Sequence, residues 1–240
     1  MSNVRRQNQG PHHTGEHMLL FRTASFALAL TAGLLGGCAT SRSELSIATP
    51  ASATAPRLAN PNAPTAVVRV VKDARMFEQK PSEPSTPSLG FEGSDKATFE
   101  IKQRAVGRKR NSFGMALGDV LLQQGQSVEG LVRDSITEAL RESGYNVVAG
   151  GAVTTPSMEI SADIKKFWSW VQPGFVAITV KSEIAVDLTV SSKTGVTPVS
   201  VSVEDPRQFV TDSAWLEAIQ KALAAFRAQA VRVLPKGPQP

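Results

Sequence analysis

Side chains able to do covalent or metal chemistry are few in this 240-residue chain, and oddly placed. Its three histidines, His12, His13 and His17, all lie within the first 17 residues, and its one cysteine is Cys38. From residue 39 onward there is neither an imidazole nor a thiol. That excludes a His-dependent triad, a Cys nucleophile and a His/Cys zinc or haem site from the rest of the chain. A single cysteine also forms no internal disulfide. Carboxylates remain, and a hydrolase needs a suitably spaced pair of them. Glu129, Glu138, Asp163 and Glu183 are available, but periodicity puts each on a solvent-facing position of a regular element. No GxxxxGK[ST] loop and no GxGxxG after a strand is present, and "AGGA" (149–152) reads as a turn. The residues predict no catalytic centre, no metal and no cofactor.

Cys38 sits in "LLGGCATS" (34–41). Upstream, Met18 opens "MLLFRTASFALALTAGLLGGC", in which Arg22 precedes an apolar stretch from Ala24 to Leu35. This is the pattern of a secretory signal, and it is short for a transmembrane helix, which needs about 20 apolar residues. Leu35, Gly36 and Gly37 before Cys38 resemble a bacterial lipobox. That resemblance implies cleavage between Gly37 and Cys38 and acylation of Cys38, with diacylglycerol on its sulfur. Several acyl chains on one residue suffice for stable anchoring, since each buried methylene contributes about 0.8 kcal/mol. Ala39, a residue other than Asp, implies by the same resemblance an outer-membrane lipoprotein facing the periplasm. Residues 1–37 thus read as the signal peptide, with 1–17 an upstream extension and Met18 an alternative start.

The whole chain carries 26 Lys+Arg and 21 Asp+Glu. Arg5, Arg6, Arg22 and Glu16 precede Cys38, which leaves a net charge of +3 from Cys38 onward. This mild excess is no signature of nucleic-acid binding, and its placement matters more than its size. In "QRAVGRKRNSFGMALGD" (103–119), Arg104, Arg108, Lys109 and Arg110 crowd together, with Lys102 adjacent. Guanidinium forks suit carboxylates and phosphates, so these four are the candidate anion or partner site. The competing reading is a solvated loop whose cations pair with the chain's own carboxylates. Gly107, Gly114 and Gly118 point to unusual backbone turns in this segment.

The elements that would position these groups follow from periodicity. From Cys38 to Thr65 small residues and prolines dominate, as in a disordered tether spanning roughly 30 Å as a coil. A single domain is expected over 66–233. "AVVRVVKD" (66–73) reads as a strand, "QKPSEPSTPSLG" (79–90) as irregular, and 97–104 as a short strand. Gln126–Ser143 is a helix with Val128, Leu131, Val132, Ser135, Ile136, Ala139 and Leu140 on one face, an N-cap at Ser127 and a C-cap at Gly144. "YNVV" (145–148) returns as a strand. Residues 158–170 and 176–190 form an antiparallel pair, followed by a strand over 197–204. A last helix covers 213–233, with Trp215, Ile219, Ala222, Leu223, Phe226 and Ala230 inward and Asp212 or Ser213 as its cap, and 234–240 fray. The sum is an α+β fold: a mainly antiparallel sheet with two helices packed on one face, a two-layer sandwich.

"FWSWVQPGF" (167–175) is a second candidate contact, the hairpin of Phe167, Trp168, Trp170 and Phe175. By parity Trp168 and Trp170 continue the apolar face of Met158 and Ile160, and Phe167 falls on the opposite, exposed face. Together with "PSTPSLG" (84–90), "GRKRNSFGMALGD" (107–119) and "ESGYNVV" (142–148), this motif resembles the YajG-like family of bacterial lipoproteins over roughly residues 66–232. The resemblance implies a periplasm-facing lipoprotein, in some members linked to flagella, and supplies no catalytic residues. The expected role is a non-enzymatic partner-binding or assembly-accessory module. It would be membrane-attached through Cys38, with an envelope protein or anionic envelope polymer as partner and no nucleic acid. The alternatives are a carboxylate-dependent cell-wall hydrolase, a flagellum-associated lipoprotein, and a membrane-surface module touching headgroups with Phe167 and the arginines.

Overall fold

The computed structural model describes residues 42–48, 62–111, 114–148, 156–174 and 177–237. Gly37 and Cys38, the whole expected signal, the 149–152 turn and Phe175 lie outside the described residues. The elements are β1 (Ser43–Leu45), β2 (Thr65–Asp73), α1 (Phe99–Arg104), β3 (Ala105–Arg110), β4 (Ala116–Leu122), α2 (Val128–Glu142), β5 (Asn146–Val147), β6 (Met158–Pro173), β7 (Ile178–Val190), β8 (Val196–Arg207) and α3 (Asp212–Val233).

The fold is α+β, but its eight-stranded sheet is mixed rather than mainly antiparallel. The long β6 is its spine. One edge of β6 takes β2 along its first half and β3 near Ser169, both parallel. The other edge takes β7 antiparallel along almost its full length, and β7 carries β8. Outside β2 lies the parallel β5, and outside β3 lies the antiparallel β4 with the parallel β1 beyond it. Two of the parallel pairings, β1 with β4 and β3 with β6, involve segments that look irregular or basic, and the other two, β2 with β5 and with β6, join expected strands that are distant in sequence, whose relative direction periodicity does not give. At β8, an edge strand, Pro198 and Pro206 limit pairing by further chains.

Helices α2 and α3 pack on one face of the sheet. All seven residues expected on the inner face of α2 are buried. The Ser127 hydroxyl accepts from the Gly130 N–H at 3.1 Å. Gly144, at φ 93°, closes the helix, with Tyr145 N–H reaching Leu140 O and Gly144 N–H reaching Arg141 O, a Schellman end. The expected stripe of α3 is likewise buried. Its cap position is Thr211, however, while Asp212 is already helical and its side chain is engaged elsewhere. The tail expected to fray begins by docking: Leu234 is buried and Gly237 N–H donates to Ser143 O at 2.8 Å.

The other face has a cover that periodicity does not reveal. The segment after β2, with α1, lies over Leu89, Ala105, Leu121, Trp168 and Trp170, and adds Phe77, Ala97 and Ile101. Residues 99–104, expected as a strand, are the helix α1. Thr98 caps it by accepting from Ile101 N–H, and Glu100 pairs with Arg104 one turn on. The Pro/Ser-rich stretch is fixed by Trp168, whose indole N–H donates to Pro84 O at 3.1 Å, and by the edge-on ring of Phe77.

Two further expectations change. Ser43–Leu45, placed in the tether, is an edge strand with Leu45 and Ile47 buried, and Gln126 exchanges hydrogen bonds with both backbone groups of Ile47. In β6 a bulge between Ile164 and Lys166 inserts one residue, which switches every later side chain to the other face. Met158, Ile160, Ala162, Ile164 and Phe167 therefore share the helix-side core, and Trp168 and Trp170 point into the second one.

Candidate functional site

The basic segment is a β-hairpin. β3 runs beside β6 with Gly107 opposite Ser169, and β4 returns with Ala116 opposite Arg110, the two strands being closed by the hydrogen bond from Asn111 N–H to Met115 O. Gly107 is there because nothing larger fits. A Cβ would lie 2.8 Å from Ser169 O and 2.9 Å from the Trp215 ring. Gly107→Ala is therefore expected to destabilise by about 1–3 kcal/mol, the usual cost of overpacking. A urea melt measures this, and an unchanged midpoint would mean that the strand and Trp215 part without cost. Gly118, at φ 150°, relaxes the strand where the register shifts.

The four cations do not act together. Arg104, 3% exposed, is built into the fold. Its Nε–H donates to Leu122 O at 2.8 Å, and its two amino groups pair with Glu100 and Glu44, joining α1, β4 and β1. It is withdrawn from the candidate anion site. Lys109 points to the helix side, where it bonds Ser43 Oγ and Asp212 Oδ1, the latter at 3.1 Å. Asp212 is exposed; partial desolvation raises its pKa, but the hydrogen bonds from Ser43 and Lys109 and the charge of Lys109 outweigh this and hold it below its ordinary carboxylate value.

Arg108 and Arg110 remain, side by side on the opposite face. Both converge on the Ser88 hydroxyl, at 3.1 and 3.3 Å, and Arg110 also donates to Pro81 O at 3.2 Å. These acceptors are neutral, and among the described residues neither guanidinium forms an ion pair. The buried Nε–H of Arg108 has no acceptor there. Burial pushes the Arg108 pKa down from its ordinary value, the like charge of Arg110 pushes the same way, and Asp119 partly offsets both. Burial likewise lowers Arg110.

Sequence reasoning did not single out the groups that surround these arginines. Asp119 is fully buried and accepts the Gly90 N–H at 2.7 Å and the Arg42 Nε–H at 3.2 Å. Its carboxylate thereby pins the loop that carries Ser88 beneath the arginines. A Cβ on Gly90 would come within 3.2 Å of Asp119 Oδ1, so glycine permits this approach. Arg42 stacks over Phe91 at 4.5 Å. Asp119 does close the "GRKRNSFGMALGD" motif, but nothing in one sequence marks it as buried.

The three described aromatics of the expected contact hairpin are core residues. Phe167, Trp168 and Trp170 are 1%, 1% and 7% exposed, which leaves headgroup contact through Phe167 without support. Each of the four carboxylates that a hydrolase reading would use has its own partner. Glu129 accepts from Asp73 N–H, Glu138 pairs with Arg141, Glu183 with Lys166, and Asp163 lies 3.6 Å from Lys165. No cluster of three or more His, Cys, Asp or Glu able to hold a metal occurs among the described residues.

No family model and no curated protein matches the chain. Solved structures resemble it at low identity, two of them as follows. A Xanthomonas campestris protein assigned to the family DUF330 covers 81% of this chain and 93% of its own, at 15% identity and a TM-score of 0.42. A structure described as an uncharacterized protein covers 80% of this chain and 97% of its own, at 11% identity and a TM-score of 0.40. At these scores the likeness assigns neither activity nor residues.

Proposed function

We propose that the protein is a lipid-anchored envelope lipoprotein of YajG-like type. It is held to the outer membrane by acylated Cys38 and is a non-enzymatic module that binds an anionic partner through Arg108 and Arg110. The observation that carries the binding role is the pair itself: two half-buried guanidiniums on one neutral serine, one with an unpartnered Nε–H. Two like charges so close, with only neutral acceptors, present several donors to an incoming anion. The lipobox-like approach to Cys38 and the four motifs shared with the YajG-like family support the address.

The test is in-cell photo-crosslinking. A photoreactive residue replaces Met115, which is 64% exposed on the β3–β4 turn, with Val196, 57% exposed at the β7–β8 turn, as control. The expected result is an adduct from position 115 alone that is lost on combining Arg108→Gln with Arg110→Gln while the unfolding midpoint is retained. An adduct indifferent to both substitutions, or none from a correctly acylated protein, would sink the binding role.

A further inference from the structure

We infer that the end of the sheet bearing Arg42, Phe91, Met115 and Phe209 is seated on the bilayer that holds Cys38, with Arg108 and Arg110 directed at headgroup phosphates. The inference rests on the reading that Cys38 is acylated, and it names the anion left open above.

Strand directions bring these residues to one end. Pro173, the last residue of β6, pairs with Ile178, the first of β7, and Ile178 pairs in turn with Arg207, the last of β8. β3 runs with β6 and ends only three residues beyond its Gly107–Ser169 pairing, so the β3–β4 turn lies level with the β6–β7 turn. β1 is parallel to β4, and therefore the chain enters it from this end. The loop of Gly90 and Phe91 is tied here through Asp119 and Arg42. Lys109 ties the start of α3 here through Asp212, three residues after Phe209.

Chain length then constrains the membrane. Only residues 39–41 separate Cys38 from Arg42, which is held by Asp119 and Phe91. Four extended steps reach at most about 14 Å. The Val196 turn lies at the far end of β8, 11 residues from Arg207, roughly 36 Å away along the strand. An acyl group on Cys38 would thus hold the Arg42 end close to the bilayer and leave the Val196 end distant.

The chemistry of this end suits such a surface. Phe91, Met115 and Phe209 are 60%, 64% and 80% exposed. Phe91 holds a φ of 55°, a left-handed conformation unfavourable for a bulky residue. Its ring stands outward beneath a guanidinium instead of folding into the core. Exposed aromatic and apolar side chains interleaved with arginine are what an interfacial contact uses. Asp119 and Asp212 are engaged with Arg42 and Lys109, so Arg108 and Arg110, without an ion pair among the described residues, are the cations available to anionic lipid. The other exposed large apolar residues, Val70, Met76, Phe99 and Val196, are not on these loops.

The experiment reads depth. The acylated full-length mature protein is placed in vesicles of phosphatidylethanolamine with phosphatidylglycerol. Nitroxides are attached at Met115→Cys, Phe209→Cys and Val196→Cys in separate samples, since acylated Cys38 offers no thiol. The expected result is several-fold lower collision with a water-soluble nickel quencher at 115 and 209 than at 196, with the reverse order for oxygen. Arg108→Gln with Arg110→Gln should reduce that protection, and so should replacing phosphatidylglycerol by a zwitterionic lipid. Equal quencher access at all three positions, on protein whose mass shows acyl chains at Cys38, overturns this inference alone. A protein adduct at 115 together with such equal access identifies the occupant as a protein and overturns it too. A mass without acyl chains overturns the anchor and this inference with it.

Discussion

Arg75→Met is expected to lower the unfolding free energy by about 3–5 kcal/mol, the range for removing one partner of a buried ion pair. Arg75 is 8% exposed, and all five of its N–H donors are used. Nε and one amino group grip the two oxygens of Asp73 at 2.8 and 2.7 Å. The remaining donors reach Ala105 O at 2.6 Å, Phe167 O at 3.0 Å and Lys102 O at 2.8 Å. One side chain thus joins the end of β2 to α1, to the start of β3 and to the stretch of β6 just past its bulge. These carbonyls lie where α1 gives way to β3 and where β6 is irregular. Methionine fills similar volume but removes the side-chain donors to all three carbonyls, and it leaves the Asp73 carboxylate without its cation, held only by the backbone N–H of residue 75. The measurement is a urea midpoint at constant m-value. Adding Asp73→Leu should recover part of the loss, because the uncompensated buried charge goes with it. A single-variant loss below about 1 kcal/mol would mean that water reaches the site.

How much of this was legible beforehand can be judged from particular residues. The inner faces of the two long helices were legible, and their ends to within about two residues, because a 3.6-residue period is a local signal, reinforced in α2 by a Ser cap and a Gly stop. So was the inward row of β7 from Val180 to Val190, where alternation runs unbroken. What failed is non-local. Nothing near Ser43–Leu45 announces a strand, since its partner β4 lies some 75 residues on. The Pro/Ser-rich segment looks like a linker until a second apolar face exists for it to cover. Of the four expected cations, Arg108 and Arg110 do come together, whereas Arg104 serves the fold. That distinction depends on Glu44 and Glu100, and only the pairing of β1 brings Glu44 near. Ser88 and Asp119, which complete the arginine site, lie within "PSTPSLG" and "GRKRNSFGMALGD", but neither motif marks them as buried partners of the arginines.

The second large effect separates the two readings of β6. Unbroken alternation would put Phe167 on the exposed side, where Phe167→Ala would change stability by less than about 0.5 kcal/mol. With the bulge at Lys165, Phe167 is 1% exposed within the helix-side core, and the same substitution is expected to cost about 3–5 kcal/mol. The difference is large because a parity switch moves a whole aromatic ring from water to a packed interior. Trp168→Ala should also be costly in either case, since both readings bury it, so that variant does not discriminate. Phe167→Ala does, and a thermal or urea melt is enough. A near-neutral result would place the extra residue elsewhere, return Trp168 and Trp170 to the helix side and leave the second core without its two largest side chains. A loss in the expected range fixes the phase of β6 past its bulge. It thereby supports the position of Ser169 opposite Gly107 and the placement of Arg108 and Arg110 on the face that Ser88 approaches.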